Sequence, residues 1–120
     1  MKQRKLYPAY KDCPIRHVIS RIGDKWSMLV CYTLYQNGTV RPMRYSELRE
    51  QMCDCSPKML SATLKRLEQM ELVCRKAYAE VPPHVEYTLT SRGLKLIPCI
   101  DSLIQWAVEN FHIPAATEEA

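Results

Sequence analysis

Five residues in one stretch of the chain have side chains suited to contact a polyanion. They lie one, three or four positions apart: Lys58, Ser61, Ala62, Lys65 and Gln69. On a helix this spacing places them on one face. The lysines can donate to phosphate oxygens or guanine acceptors, the glutamine amide can donate and accept, and the small residues permit close approach to base edges. The pattern indicates DNA binding, and the alternative is an ordinary solvated helix face.

Cysteines form the second group of chemically capable residues. There are six of them: Cys13, Cys31, Cys53, Cys55, Cys74 and Cys99. Only Cys53 and Cys55 are close in sequence, and no second pair or nearby histidine completes a zinc-binding set. Because no apolar signal core follows the basic N-terminus, we expect a cytoplasmic protein without disulfides. We expect no metal site, and most of these cysteines are interpreted as small hydrophobic residues.

The sequence shows no pattern typical of an enzyme. Its three glycines, Gly23, Gly38 and Gly93, form no phosphate-binding loop. No nucleophile elbow, metal-ligand helix or carboxylate cluster is present. We therefore expect no enzymatic activity and no cofactor.

Length and composition predict one folded domain over residues 1–120. The chain is 47% hydrophobic and 25% charged, as in globular proteins. We expect an ordered core over about residues 13–111, with a flexible N-terminal arm and C-terminal tail. The net charge of +4 permits an anionic partner without specifying one. No apolar run is long enough to suggest a membrane partner.

Two helices are predicted at the start of the domain. The first begins at Asp12 or Cys13, has Pro14 in its first position and stops at Gly23. Its apolar stripe consists of Ile15, Val18, Ile19 and Ile22. The second is capped by Asp24 and ends at 37–38. Its predicted buried face consists of Trp26, Leu29, Val30, Thr33 and Leu34.

A short helix, a tight turn and a longer helix come next, which is the order of a helix-turn-helix. Ser46 is predicted to cap the short helix, with Leu48 and Met52 facing inward. The turn is "CDC", and Ser56 caps the helix over 56–70. The core stripe of that helix is Leu60, Leu64 and Leu67, opposite the basic face described above. In a helix-turn-helix this second helix enters the DNA major groove.

The hydrophobic period then changes to that of a two-stranded hairpin, the wing, over residues 72–90. Its strands are "LVCRKAY" and "VEYTLT", joined by "AEVPPH". Arg75, Lys76 and His84 could meet phosphate or the minor groove, or could simply form a basic edge strand. Arg44, Tyr45 and Ser46 open the third helix, where they could receive a phosphate or serve only as caps.

The last helix carries more apolar surface than one core contact requires. It opens at Thr90 or Ser91, and Pro98 inside it is expected to bend it. Dimerisation would bury the excess, with the first helix contributing, although burial within one domain is the alternative. The predicted interface is Ile15, Ile19, Leu96, Cys99, Ile100, Leu103 and Trp106. The predicted fold is α+β, mainly α: a winged helix-turn-helix with a two-stranded wing and a C-terminal dimerisation helix.

Several motifs together resemble the HxlR-type bacterial transcriptional regulators. They are "CPIRHVISRIGDKWSMLVCYTL", "RYSELREQM", "SPKMLSATLKRLEQMELVCRKAYAEVPPHVEYTLTSRG" and "LIPCIDSLIQWA". The resemblance covers roughly residues 13–106. It implies a winged helix-turn-helix homodimer that binds an inverted-repeat operator in double-stranded DNA and controls nearby genes, often in response to oxidants or electrophiles. The alternative is a winged-helix module that binds protein and not DNA; neither reading identifies a small-molecule effector.

The resemblance also bears on the cysteines. Cys13 matches the position through which some family members sense, and a thiol at a helix N-terminus can be unusually reactive. Oxidation could join Cys13 to a cysteine of a partner chain, with Cys53 or Cys55 best placed to affect the DNA-binding helix. The alternative is that Cys13 is a structural cap. The sequence departs from the family where His84 replaces a wing arginine and where "CDC" forms the turn.

Overall fold

The computed structural model describes residues 12–35 and 41–113, which form five helices and a small antiparallel sheet. The elements are α1 (Pro14–Ile22), α2 (Ser27–Leu34), β1 (Met43–Arg44), α3 (Tyr45–Gln51), α4 (Pro57–Gln69), β2 (Val73–Tyr78), β3 (His84–Leu89) and α5 (Ser91–Phe111). This order confirms the predicted winged helix-turn-helix. The arm before residue 12 and the tail after residue 113 lie outside the described residues. Within those ranges, no helix is long and apolar enough to cross a membrane.

The helix-turn-helix is formed by α3 and α4. Ser56 caps α4 as predicted, because its hydroxyl accepts from the Met59 backbone N–H at 3.1 Å. The prediction that Ser46 caps α3 is wrong. Arg44 is the residue before the first turn, and the Glu47 carboxylate accepts from the Arg44 N–H at 2.7 Å. A glutamate three positions into a helix can reach back in this way, which leaves Ser46 inside the helix.

Asp24 accepts hydrogen bonds at the start of α2, as predicted, although α2 begins only at Ser27. The Asp24 carboxylate accepts from the backbone N–H groups of Trp26 and Ser27, each at 3.0 Å. The helix ends at Leu34, and the predicted stop at 37–38 lies outside the described residues. Val30 and Leu34 are buried, but the prediction for Leu29 is wrong, because its side chain is exposed.

The first helix ends at Ile22 with Gly23 as its C-cap, as predicted. None of its residues is buried in the chain. Its stripe is real but mostly exposed, since Ile15, Val18 and Ile19 all face solvent. A helix of this kind gains little stability from its own chain, because helices in proteins depend on packing of the apolar face.

The wing is a hairpin in which β2 and β3 pair antiparallel from Val73↔Leu89 to Tyr78↔His84. The sheet has three strands, one more than predicted, because β1 pairs with the side of β3 that faces away from β2. Arg44 of β1 lies opposite Glu86. Two residues are too few to show an alternating pattern, so β1 leaves no signal in the sequence.

The core lies between α2, α4, the sheet and the first half of α5. It includes Val30, Leu34, Leu48, Leu60, Leu64, Leu67, Val73, Leu89, Ile97 and Ile100.

Thr90 caps α5, accepting from the Gly93 N–H at 3.1 Å. A Cβ at Gly93 would lie 2.2 Å from the Leu72 carbonyl oxygen, so the close approach of α5 to the strand requires glycine there. Pro98 lies within α5.

Candidate DNA-binding surface

The predicted basic face of α4 is fully presented to solvent. Its five members, Lys58, Ser61, Ala62, Lys65 and Gln69, are all exposed, whereas Leu60, Leu64 and Leu67 on the opposite side are buried. Among the residues that the structure describes, neither lysine forms an ion pair. Their charges are therefore available to phosphate oxygens or to base edges.

A third cation of α4 points the other way and attaches the helix to α2. Arg66 Nη2 donates to Asp24 Oδ1 at 2.8 Å and to Ser27 Oγ at 2.6 Å. Burial alone would raise the pKa of Asp24. Hydrogen bonds from the Ser27 hydroxyl and the Trp26 and Ser27 N–H groups, together with the Arg66 charge, outweigh burial and lower this pKa. Sequence reasoning identified Asp24 only as a cap; nothing in the local pattern signals the contact with Arg66.

The start of α3 contacts the start of α4 through polar groups. The Tyr45 hydroxyl lies 3.2 Å from Ser61 Oγ and donates weakly to the Pro57 carbonyl at 3.5 Å. Arg44 and Ser46, on either side of Tyr45, are exposed. The tyrosine therefore holds the two helices of the helix-turn-helix together and leaves its neighbours on the surface.

A groove of about 480 Å³ brings the predicted elements together. It is lined by Arg44, Tyr45, Ser46, Ser61, Pro83, His84, Val85 and Tyr87. The pairing of β1 with β3 places the start of α3 beside the wing. Residues predicted separately, on the two helices and on the hairpin, thus border one surface.

On the wing, the predicted residues have different surroundings. Arg75 and Lys76 are exposed on β2, and the Lys76 ammonium lies 5.1 Å from the centre of the Tyr78 ring. His84 stacks on Tyr78 with ring centroids 4.6 Å apart, and its side chain is only 13% exposed. Carboxylates of Glu86 and Glu80 lie 3.2 and 3.6 Å from its ring nitrogens. His84 thus packs within the hairpin, and little of its ring faces outward.

The cysteines proposed for redox chemistry also differ. Cys13 is fully buried at the start of α1, and Cys55 is buried in the turn between α3 and α4. Burial and the Asp54 charge raise the pKa of Cys55 despite nearby Lys25. Cys53 is exposed. A cysteine must be reachable from solvent to react with an oxidant. Of these three thiols, only that of Cys53 is exposed in this conformation.

The remaining thiols bear on the expected absence of disulfides and metal. Burial raises the pKa of Cys31 to about 12, which fits its interpretation as a small hydrophobic residue. None of the six cysteines is in a disulfide. In residues 12–35 and 41–113, no group of three or more histidine, cysteine or acidic side chains could hold a metal ion.

The predicted dimer surface lies away from the leucine face of α4. Ile15 and Ile19 of α1, and Leu103 and Trp106 of α5, are each at least 50% exposed. Cys99 is exposed and Leu96 half-buried. The prediction that Ile100 belongs to the dimer interface is wrong. Its side chain is only 5% exposed, because it packs in the core of its own chain, and it offers a partner almost no surface.

Comparison with known proteins gives a consistent result. A family model described as HxlR-like helix-turn-helix matches residues 21–114. An uncharacterized HTH-type transcriptional regulator of Halalkalibacterium halodurans is 41% identical over 83% of this chain and 86% of its own. Another, YdzF of Bacillus subtilis, is 40% identical over 82% of this chain and 87% of its own.

Solved structures show the same similarity. The redox regulator HypR in its oxidized form has a TM-score of 0.71 and 33% identity, over 82% of this chain and 97% of that one. The reduced form of the transcriptional regulator YodB from B. subtilis has a TM-score of 0.69 and 33% identity, over 81% and 91%.

Proposed function

This chain belongs to the HxlR-like helix-turn-helix family of DNA-binding transcriptional regulators, and we propose that it binds an inverted-repeat operator as a homodimer. In this proposal α4 enters the major groove and β2 and β3 contact the flanking backbone. The observation that carries it is the exposed, unpaired basic face of α4 opposite a buried leucine stripe.

Each part of the surface has a separate role in the proposal. Lys58, Lys65 and Gln69 reach phosphates or base edges, and Ser61 and Ala62 keep the helix surface low enough for close approach. Arg75 and Lys76 contact phosphates beside the groove. Arg44 precedes α3 and Ser46 lies in its first turn, where backbone N–H groups can donate hydrogen bonds to a phosphate.

The dimer follows from surface that the single chain leaves uncovered. Ile15 and Ile19 on α1, with Leu103 and Trp106 on α5, form exposed apolar faces. Apolar surface of this extent, concentrated on two helices, is typical of an interaction site. A two-fold dimer would present two α4 helices to successive major grooves, so half-sites would be centred about 10–10.5 base pairs apart or a multiple of this.

Operator fragments selected from random duplex DNA provide the test. Lys65→Ala should weaken binding; if Lys65 contacts phosphate, the salt slope falls by about 1, and if it contacts guanine, discrimination at one base pair is lost. Lys95→Ala, which removes an exposed lysine of α5 outside α4 and the wing, is the matched control. Binding without salt dependence, or no selected DNA at all, would favour the alternative of a protein-binding winged-helix module.

The geometry of the dimer is tested on the same operator. Inserting about half a helical turn between the half-sites rotates one of them away from its recognition helix. Tight binding should then be lost. Unchanged affinity after the insertion would contradict dimeric binding to an inverted repeat.

A second candidate function is a response to oxidants, favoured by the similarity to HypR and YodB. We propose that Cys13 or Cys53 carries it; Cys13 matches the family's sensing position but is buried, and Cys53 is exposed. Wild type, Cys13→Ser and Cys53→Ser should be titrated with diamide while operator affinity is measured. The variant that retains affinity identifies the responding thiol, and equal responses in all three would contradict both assignments.

A further inference from the structure

The face of the wing that points away from the core carries a cluster of ionisable side chains centred on His84. The His84 ring stacks on Tyr78 of β2, with centroids 4.6 Å apart, and only 13% of the side chain is exposed. One ring nitrogen, Nε2, lies 3.2 Å from a Glu86 carboxylate oxygen. The other, Nδ1, lies 3.6 Å from a Glu80 carboxylate oxygen. Both nitrogens of the histidine thus face an anion.

The two protonation states of His84 differ in how well they fit this arrangement. A neutral imidazole has one N–H donor and one lone pair, so it can donate to only one of the two carboxylates and turns its lone pair towards the other. The imidazolium has an N–H on each nitrogen and can donate to both. Histidine is the side chain that changes charge within about pH 5–8. The contacts of Glu80 and Glu86 therefore depend on one exchangeable proton.

The other charged groups on this face balance one another. Glu86 lies between Lys76 of β2 and Arg44 of β1, its partners in the two antiparallel strand pairs. Paired residues of neighbouring strands project from the same face of a sheet, and so do residues two apart on one strand, such as Glu86 and His84. Glu80 adds a second carboxylate beside the ring. Two cations thus oppose two carboxylates, and the proton on His84 alone gives this face a net positive charge.

His84 also borders the proposed DNA-binding surface. It lines the groove of about 480 Å³ between α3, α4 and the wing. The same groove is lined by three residues that the proposed function assigns to DNA: Arg44, Ser46 and Ser61. Three phenols also face the ring or the groove: Tyr45, Tyr78 and Tyr87. Phenols ionise only near about pH 10, so histidine is the group here that changes charge near neutral pH.

We propose that the proton on His84 controls the affinity of the wing for DNA, so that operator binding takes up a proton from solvent at this ring. The proposal rests on the proposed function. His84 is a positioning residue that does not itself contact DNA, because both of its nitrogens are directed at carboxylates. The charged ring holds Glu80 and Glu86. When the proton leaves, one carboxylate loses its donor, and the uncompensated negative charge repels a phosphate in the groove.

Operator affinity at pH 6 and pH 8, measured at constant ionic strength, tests this linkage. Wild type should bind at least roughly threefold more weakly at pH 8, because binding that takes up one proton loses up to about tenfold in affinity per pH unit. His84→Gln keeps a donor but cannot be protonated, so its affinity should be the same at both pH values. His17→Gln, which removes an exposed histidine of α1, is the matched control and should keep the wild-type dependence.

Three results of that measurement would overturn the proposal. The first is equal affinity of wild type at the two pH values. The second is an unchanged pH dependence in His84→Gln. The third is an equal loss of pH dependence in His17→Gln, which would show that the effect does not depend on the position of the histidine.

The carboxylates give a prediction of the opposite sign. Glu80→Gln together with Glu86→Gln removes both anions that the proton neutralises. At pH 8 this double variant should bind operator at least roughly threefold more tightly than wild type, since a phosphate in the groove no longer meets uncompensated charge. Glu109→Gln, which removes an exposed carboxylate of α5, should bind as wild type does. Unchanged or weaker binding by the double variant, or an equal gain in Glu109→Gln, would overturn the proposal.

Calorimetry measures the proton directly and requires no substitution. Wild type is titrated with operator duplex at pH 7 in PIPES and in imidazole, two buffers that differ in their enthalpy of ionisation. The difference between the observed enthalpies gives the number of protons exchanged. We expect uptake of a fraction of one proton per chain by wild type and none by His84→Gln. Equal enthalpies for wild type in the two buffers, or release of protons, would overturn the proposal.

Two outcomes separate this proposal from the proposed function. If the chain binds operator with the same affinity at pH 6 and pH 8, the proposed function stands and control by the proton fails. If the chain binds no duplex DNA at either pH, the proposed function fails, and control by the proton fails with it.

Discussion

The helices α4 and α1 carry similar apolar stripes but use them differently. In α4, Leu60, Leu64 and Leu67 are 0–1% exposed within their own chain. In α1, Ile15 and Ile19 occupy equivalent helical spacing and are 50% and 60% exposed. Periodicity thus shows that a helix has a face to bury, and says nothing about which molecule covers it.

The long helix α5 contains both situations. Ile97 and Ile100 in its first half are buried in the core, whereas Leu103, Ile104 and Trp106 further along are exposed. The change follows from geometry, because the sheet and α2 cover only the first half of α5. The second half continues past the core with its apolar face uncovered, and this is the surface that the proposed partner chain would bury.

The largest expected effect is on the buried stripe. Leu64→Ala should lower the free energy of unfolding by about 2–5 kcal/mol, because it leaves a cavity in the core. Urea unfolding at one fixed protein concentration measures this, since a dimer's stability depends on concentration. Met59→Ala, at a 44% exposed position of the same helix, is the control. Similar losses in both variants would mean that burial does not distinguish the two faces.

The exposed stripe should affect assembly more than folding. Replacing Ile19 or Leu103 with lysine removes about 1.5–3 kcal/mol of apolar burial from each chain, and a two-fold dimer loses it twice, so the dimer constant should weaken at least roughly one-hundredfold. Sedimentation at several concentrations measures the constant, and circular dichroism measures the fold. A variant that unfolds would show that the stripe is needed within the chain. An unchanged dimer constant would show that the interface lies elsewhere.

A smaller effect is expected where α4 joins α2. Arg66→Ala removes the donor to Asp24 and Ser27 and should lower the free energy of unfolding by about 1 kcal/mol, since the pair is partly exposed. Operator affinity should also fall, because the orientation of α4 is less restricted. A double-mutant cycle with Asp24→Asn isolates the contact. Strictly additive effects would contradict a direct interaction.

The smallest effect is a dependence on pH at the same contact. The pKa of Asp24 in the folded chain is lower than its ordinary value of 3.8, so the unfolded chain binds a proton there first as pH falls. The stabilisation is present above that value and is lost as pH falls through the lower folded pKa. Wild type should therefore lose more stability between pH 5 and pH 3 than Asp24→Asn. Parallel losses, measured by urea unfolding, would contradict the assignment.

Local pattern was sufficient to predict much of this protein. The order of the helices and the two wing strands, the caps at Ser56 and Thr90, the stop at Gly23 and the inward leucines of α4 all depend on residues within one or two helical turns. The basic face of α4 follows from the same short-range spacing. Each of these features is determined by neighbours in sequence, and each could therefore be predicted without coordinates.

Contacts between distant residues were decided only by the tertiary structure. The Arg66–Asp24 pair and the addition of β1 to the sheet join segments whose separate patterns do not refer to each other. The sequence by itself determined which faces are apolar or charged, because the periodicity of a helix depends only on the order of residues. Only the packing of the elements decided what each face meets, because burial depends on neighbours from other parts of the chain.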